Sequence, residues 1–281
     1  MARRIRLDAE LVRRGLARSR EQAAALVGTG RVEVRGAPAH KAAALVDVAD
    51  PVRVLGGSDA DSYVSRGAHK LVGALAAFVP AGLVVAGRRC LDAGASTGGF
   101  TDVLLREGAV EVVAVDVGYG QLAWSLRTDA RVRVMDRTNV RTLTAEAIGG
   151  PAQLAVADLS FISLRLVLPA LAACTAGDGD LVLMVKPQFE VGRDRVGARG
   201  VVRDPELRAQ AVLAVAGGAV GSGLGTAGVA ASPLPGPAGN VEFFLWLRRG
   251  APEPDPAQIR AIVRSAAEPG RERVPDNGPP S

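Results

Sequence analysis

The chain has 281 residues, a formal net charge of +5 and 48% apolar residues, enough for one full α/β domain plus a smaller module, which excludes a disordered or fibrous protein. Its two cysteines, Cys90 and Cys174, lack CxxC spacing and a nearby histidine, so neither a disulfide framework nor a metal site is expected, and a cytoplasmic setting is. No run of eighteen apolar residues is free of charge or glycine, and no apolar stretch follows the N-terminal arginines, so neither a membrane span nor a signal peptide is expected.

Seven arginines (3, 4, 6, 13, 14, 18 and 20) stand against Asp8 and Glu10 in the first twenty residues. Such a cluster in a short module is the footprint of a phosphate-backbone binder, or more plainly a solvated helix face. Leu7, Leu11, Val12 and Leu16 follow helical spacing with Gly15 as a stop, and Ser19 is a natural N-cap for a second helix through Val27. Residues 31–35 then alternate like a strand, Gly36 marks a turn, and residues 46–54 continue in β structure. Arg6-Leu-Asp, Gly15-Leu, Ser19-Arg-Glu-Gln-Ala, Gly30-Arg-Val-Glu-Val and Gly36 with Lys41 resemble the αL RNA-binding fold named after small-subunit ribosomal protein S-four, although Arg35 stands where asparagine is usual. The resemblance implies an RNA-binding domain over residues 1–60, linker included, with Arg4, Arg6, Arg18, Arg20 and Lys41 on RNA. The linker is read at Gly56-Gly-Ser-Asp.

From Tyr63 the pattern changes to alternating strands and helices. Strands are predicted at 89–92, 111–115, 132–135, 154–158, 181–186 and 242–247, which reads as a doubly wound α/β sheet over residues 61–250. Residues 251–281 are expected to form a tail with at most one short helix near 258–265 and a disordered end.

Asp92-Ala-Gly-Ala-Ser-Thr-Gly-Gly-Phe100 follows the first strand and opens a helical pattern, the place where a Rossmann-like sheet binds a nucleotide. The same residues spell the GxSxG elbow of serine hydrolases, but that fold needs a histidine after the serine, and His40 and His69 both precede Ser96. A dinucleotide dehydrogenase would use Asp116 on the ribose, yet the third glycine is out of phase. An acid before the turn is instead the signature of S-adenosylmethionine (SAM) methyltransferases. On that resemblance Asp92, Gly94, Ser96, Thr97, Gly98, Gly99 and Phe100 form the cofactor turn, with Asp116 and Asp136 from the next strand ends.

Only three of the 34 cationic side chains are lysines, and two fall in loops of this domain. Lys70 lies in Ser65-Arg-Gly-Ala-His-Lys, Lys186 ends one apolar run, Asp158 ends another, and Glu242 begins a third. Any one such charge is often only a solvated strand end. The order Lys70, Asp158, Lys186, Glu242 resembles the Lys-Asp-Lys-Glu tetrad of FtsJ-type RNA 2′-O-methyltransferases. Together with Asp158-Leu-Ser-Phe-Ile-Ser, Val185-Lys-Pro-Gln-Phe-Glu and the N-terminal module, it resembles the TlyA family, long labelled haemolysins, over residues 5–248. That resemblance implies SAM-dependent methylation of cytidine 2′-hydroxyls in small- or large-subunit ribosomal RNA, with no membrane partner.

A ribose hydroxyl is a weak nucleophile, and lysine, unlike arginine, can exist as a neutral base. Lys186 is therefore expected to take the proton, with Asp158 and Glu242 orienting the lysines and Lys70 positioning the hydroxyl or a phosphate. Base amino-group enzymes carry a proline-rich turn that Asp158-Leu-Ser-Phe lacks, and base C5 enzymes need a cysteine after proline. Arg66 and the glycine-punctuated segment 192–203, with Arg193, Arg195 and Arg199, are expected to meet RNA phosphates. Two alternatives stay open: a non-catalytic ribosome-assembly factor, and a haemolysin.

Overall fold

The computed structural model describes residues 4–17, 19–55 and 63–266. The chain divides into two compact units, Met1–Ser62 and Tyr63–Ser281. Arg18, the 56–59 linker and the end of the tail beyond 266 lie outside the described residues.

In the first unit, β1 (Arg4–Arg6) leads into α1 (Leu7–Arg13), and α2 (Arg20–Gly28) is followed by β2 (Val32–Val34), β3 (Ala37–Pro38), β4 (Leu45–Asp47) and β5 (Val52–Val54). The expected caps are present. Gly15 takes a positive φ of 71° after α1, and the Ser19 hydroxyl accepts from the Gln22 amide at 3.1 Å, satisfying one of the free donors of α2. Leu7, Leu11, Ala23, Val27, Val32 and Val46 close a small core. The expected β structure of 46–54 is two strands in two different sheets, β1–β4 and β3–β2–β5.

The second unit opens with α3 (Ala68–Phe78), then β6 (Arg89–Ala93), α4 (Gly99–Arg106), β7 (Glu111–Val115), α5 (Trp124–Arg127), β8 (Val132–Met135), β9 (Ala152–Ala157), α6 (Leu168–Ala173), β10 (Thr175–Val185), α7 (Pro187–Glu190), α8 (Pro205–Val220), β11 (Gly225–Ala231), β12 (Phe243–Arg248) and α9 (Pro256–Ser265). The strands form one seven-stranded sheet in the order β11-β12-β10-β9-β6-β7-β8. Strands β8, β7, β6, β9 and β10 run parallel, while β12 is antiparallel to both neighbours.

Period-two alternation sends one set of side chains to each face. Leu91, Val113, Ala155, Leu183 and Phe243 meet α6, α8 and α9 on one side. Cys90, Val112, Val156, Met184 and Phe244 meet α3 and α4 on the other. Helix α9 lies where a short helix was expected near 258–265: Asp255 caps it through the Ala257 amide at 2.8 Å, and Ile259 and Val263 pack it into the sheet's core.

Candidate active site

The strand order reverses between β6 and β9, and ligands of open α/β sheets bind in the crevice at the carboxyl ends of strands flanking such a switch. A cleft of about 530 Å³ lies there, lined among others by Gly94, Ser96, Asp116, Gln121, Asn139, Asp158, Ser160 and Phe161. The turn after β6 is held by the acid that follows β7. Asp116 accepts from the Ser96 amide at 2.8 Å and from the Gly118 amide at 2.7 Å. Two backbone donors leave lone pairs of this carboxylate for a ligand hydroxyl. Gly94 sits at φ 85°, where an added Cβ would lie 2.6 Å from the Asp158 carbonyl oxygen, so the turn can press against the exit of β9 only as glycine.

The rest of the expected cofactor turn is placed differently. Phe100 is a core residue, packed 6.1 Å from the Phe244 ring, and offers no side chain to the cleft. Gly98, at φ 97°, starts α4 against Leu122 and Leu126, and Gly99 faces Ser65 and the Ala68 amide. Thr97 is exposed and contributes its carbonyl to the Ala123 amide. Asp136 accepts from Arg127 at 2.6 Å, a guanidinium bond that holds its carboxyl below the ordinary value.

Asp92 is fully buried beneath the turn and does not line the cleft. Its Oδ2 accepts from the Thr101 hydroxyl at 2.6 Å, while Oδ1 has no hydrogen-bond partner. Burial, opposed by the Thr101 bond and reinforced by the nearby Asp158 charge, pushes this carboxyl up to about 7.

Lys70, Asp158, Lys186 and Glu242 come together at the same edge of the sheet as two ion pairs. Val185 of β10 lies opposite Phe243 of β12, so Lys186 and Glu242, one residue beyond on each strand, leave the sheet side by side. Asp158 leaves the adjacent β9. Lys186 Nζ is 2.6 Å from Asp158 Oδ1 and donates to the Ser160 hydroxyl at 2.9 Å. The contact to Oδ1 is close but poorly directed, and that buried oxygen has no properly aimed donor.

Lys70, in the first turn of α3, reaches Glu242 Oε2 at 2.6 Å and Met184 Sδ at 4.0 Å. Glu242 is 1% exposed, and the Gly236 backbone packs so closely that a Cβ there would meet Oε1 at 2.6 Å. Ser160, Met184 and Gly236 were not among the site residues expected from sequence; each is defined by its approach to a charged side chain, Lys186, Lys70 and Glu242 in turn.

The basic residues divide in a way that charge counting hides. Two buried carboxylates of the first unit hold four of its arginines. Asp8 accepts from Arg6 at 2.8 Å and Arg20 at 3.2 Å, and Glu10 pairs with Arg13 and Arg14 at 2.6 Å. Arg6 and Arg20 nevertheless keep about half their side-chain surface exposed, so spare donors face solvent. Arg4, Lys41 and Arg66 are exposed.

The segment 192–203 is not a free loop. It folds into two short 3₁₀ turns, Arg193–Arg195 and Ala198–Gly200. Buried Asn240 secures it by donating to the Gly200 carbonyl at 2.8 Å and accepting from the Val202 amide at 2.9 Å. Arg195 is spent on the Val191 carbonyl and Gln210, whereas Arg199 is exposed at φ 61°. The Arg193 side chain lies outside the described set. Both cysteines are buried in the two cores, and burial pushes the Cys90 thiol up to about 12. Among the described residues no group of three or more His, Cys, Asp or Glu is arranged to hold a metal.

The profile of the FtsJ-like methyltransferases matches residues 63–249. The chain belongs to the FtsJ-like methyltransferase family. Within it, the chain is 65% identical to the 16S/23S rRNA (cytidine-2′-O)-methyltransferase TlyA of Mycobacterium tuberculosis, over 88% of this chain and 91% of that protein. It is 34% identical to Hemolysin A of Brachyspira hyodysenteriae, over 85% of this chain and 98% of that protein. A solved structure carrying the hemolysin name, from Streptococcus thermophilus, superimposes with a TM-score of 0.71 at 39% identity, covering 94% of this chain and 96% of its own.

An FtsJ-like methyltransferase takes its methyl group from SAM, and the cleft fits that donor. Its volume lies within the range of small-molecule sites, the half-satisfied Asp116 suits a ribose diol, and Asp116 with Asp158 makes the walls acidic toward a ligand of net positive charge, with a sulfonium and an ammonium against one carboxylate. Gly94→Ala tests this fit. The positive φ and the approach to the Asp158 carbonyl both oppose a side chain, so the turn must move. Calorimetry is expected to show SAM binding weakened at least about tenfold, the equivalent of 1.4 kcal/mol, and unaltered affinity would show that the turn does not touch the cofactor.

Proposed function

We propose that this chain transfers a methyl group from SAM to the ribose 2′-hydroxyl of cytidine in ribosomal RNA of the small subunit, the large subunit or both, in the cytoplasm. The observation that carries the reading is the meeting of two lysine–carboxylate pairs at the mouth of a cleft suited to SAM, in a chain 65% identical to an rRNA (cytidine-2′-O)-methyltransferase. When bound, SAM supplies an electrophilic methyl on a sulfonium sulfur. Asp116 and the Gly94–Ser96 turn hold it beside Asp158.

Lys186 does not line the cleft but is held to Asp158 and Ser160, which do, and the incoming ribose is read to meet its Nζ there. The Lys186 Nζ must shed the proton it holds in its pair with Asp158 before its amine can accept the 2′-hydroxyl proton as the oxygen attacks, and Asp158 and Ser160 aim the nitrogen. Lys70, fixed by buried Glu242, presents a positive charge to the ribose or its phosphate. The first unit, read as an αL RNA-binding domain, adds the half-exposed guanidinia of Arg6 and Arg20 and the exposed Arg4 and Lys41 as phosphate contacts. Among the described residues no helix is long and apolar enough to cross a membrane.

The test is incubation of the purified chain with methyl-labelled SAM and separated ribosomal subunits, followed by mass spectrometry of the digested RNA. Label on a cytidine 2′-oxygen is expected. Label on a base, or none with SAM bound, would overturn the reading.

A further inference from the structure

The loop that follows β9 carries Asp158 and leads to Phe161, which holds a positive φ of 64° although it is not glycine. A residue in that region persists only where its surroundings over-determine it. Burial does not do so here, because the Phe161 side chain is 92% exposed, its ring 5.3 Å from that of Phe189.

The loop is instead fastened on either side of Phe161, and both fastenings lead to the same five residues after β10. On the near side Ser160 accepts from Lys186 at 2.9 Å. On the far side the buried carboxylate of Glu190 accepts from the Ser163 hydroxyl at 2.6 Å and from the Leu164 amide at 2.7 Å, with Arg165 3.7 Å away. Glu190 closes α7, one turn beyond Lys186. It therefore ties the segment bearing the acid to the segment bearing the lysine.

We propose that Glu190 is a positioning residue for methyl transfer: its carboxylate braces the 158–164 loop against the exit of β10 and so sets the spacing of Asp158 and Lys186. The proposal rests on the function proposed above. Glu190 lines neither cavity beside the loop, so it acts through its partners and does not touch substrate. The carboxylate accepts from two donors on two separate oxygens; a glutamine can keep the Leu164 amide on its oxygen and donate its amide to the Ser163 hydroxyl, which reverses that bond, and it gives up the charge that faces Arg165. Its burial pushes the carboxyl up, while the Ser163 and Leu164 donors oppose that shift.

The test uses the full chain with Glu190→Gln, Glu190→Ala and Ser163→Ala. Hydrogen exchange at the Leu164 amide, thermal melting, SAM calorimetry, and kcat and KM on ribosomal subunits are the readouts. Glu190→Ala is expected to bind SAM and subunits as before, yet lose about tenfold or more in kcat per folded molecule, the scale of a displaced catalytic pair, and Glu190→Gln, which can keep both contacts, is expected to recover most of that loss. Glu190→Ala is expected to expose the Leu164 amide to exchange, and Ser163→Ala added to Glu190→Ala to lower kcat no further.

Unchanged kcat per folded molecule in Glu190→Ala, or a Glu190→Gln no more active than Glu190→Ala, would overturn the positioning role. Unchanged Leu164 exchange in Glu190→Ala would overturn the brace itself. A wild-type chain that binds SAM but methylates no ribose would sink the reading beneath the proposal, while the exchange measurement would still report on the brace.

Discussion

Lys186→Arg is expected to lower kcat for ribose methylation by about a hundredfold to ten-thousandfold, the range contributed by general-base catalysis, with SAM affinity nearly unchanged. Arginine keeps the positive charge and can still pair with Asp158, but it holds its proton at any pH a protein survives. The substitution thus separates two roles that Lys186 could play. A cation that merely stabilises the developing alkoxide would be replaced well by a guanidinium, whereas a group that must receive the hydroxyl proton would not. Cofactor affinity should be spared because Lys186 does not line the cleft, while its partner Asp158 does. Single-turnover methyl transfer paired with SAM calorimetry is the measurement, and an active Lys186→Arg enzyme would remove Lys186 from the role of base.

Those features of the fold that depend on local chemistry were legible in the sequence. Ser19 reads as a cap because a serine before a helical pattern has a backbone amide to accept from, and it does so. Strand 111–115 reads correctly because a buried parallel strand is a short β-branched run, and strand 132–135 because Val132, Arg133 and Val134 alternate as an edge strand does, with Arg133 exposed. Strand β11, Gly-Thr-Ala-Gly-Val-Ala-Ala, was not expected, since glycine and alanine have little β preference. Tertiary context makes it a strand: Gly228 lies against Phe78 and Trp246, where a Cβ would come within 3.0 Å of the Phe78 ring, so only small residues fit between α3 and β12.

The site divides along the same line. The four charges of the two ion pairs stand out because each interrupts or flanks an apolar run. Ser160, Gly236 and Glu190 do not, because their roles come from partners brought to them by the fold, in loops without periodicity. Phe100 misled in the opposite direction, since a glycine-rich turn draws attention to every residue in it while α4 turns this ring into the core. Arginine count misled in the first unit, where Asp8 and Glu10 look like solvated acids in sequence and are in fact buried anchors.

Asp92 is expected to make the second unit less stable as pH rises from about 4 to about 7. In the unfolded chain this carboxyl ionises near its ordinary 3.8; in the fold burial pushes it up to about 7. Between those values the folded state keeps a proton that the unfolded state has released, so unfolding stability falls with pH by up to about 1.4 kcal/mol per unit for one proton. Above about 7 both states are ionised and the slope vanishes. Asp136, held below its ordinary value by Arg127, contributes with the opposite sign and only in acid.

Denaturant unfolding of wild type and Asp92→Asn across pH 4–8 isolates the effect, because all other groups cancel in the difference. The stability of Asp92→Asn relative to wild type is expected to rise through this range and then level, whatever its absolute value; a flat difference would show that Asp92 titrates normally. The charges of Asp158 and Asp116 help to keep the proton on Asp92, and a cationic ligand between them offsets that repulsion. SAM binding near pH 7 is therefore expected to release a fraction of a proton, read as a dependence of calorimetric heat on buffer ionisation enthalpy that Asp92→Asn loses. The carboxyl beneath the turn then reports occupancy of the cleft without lining it.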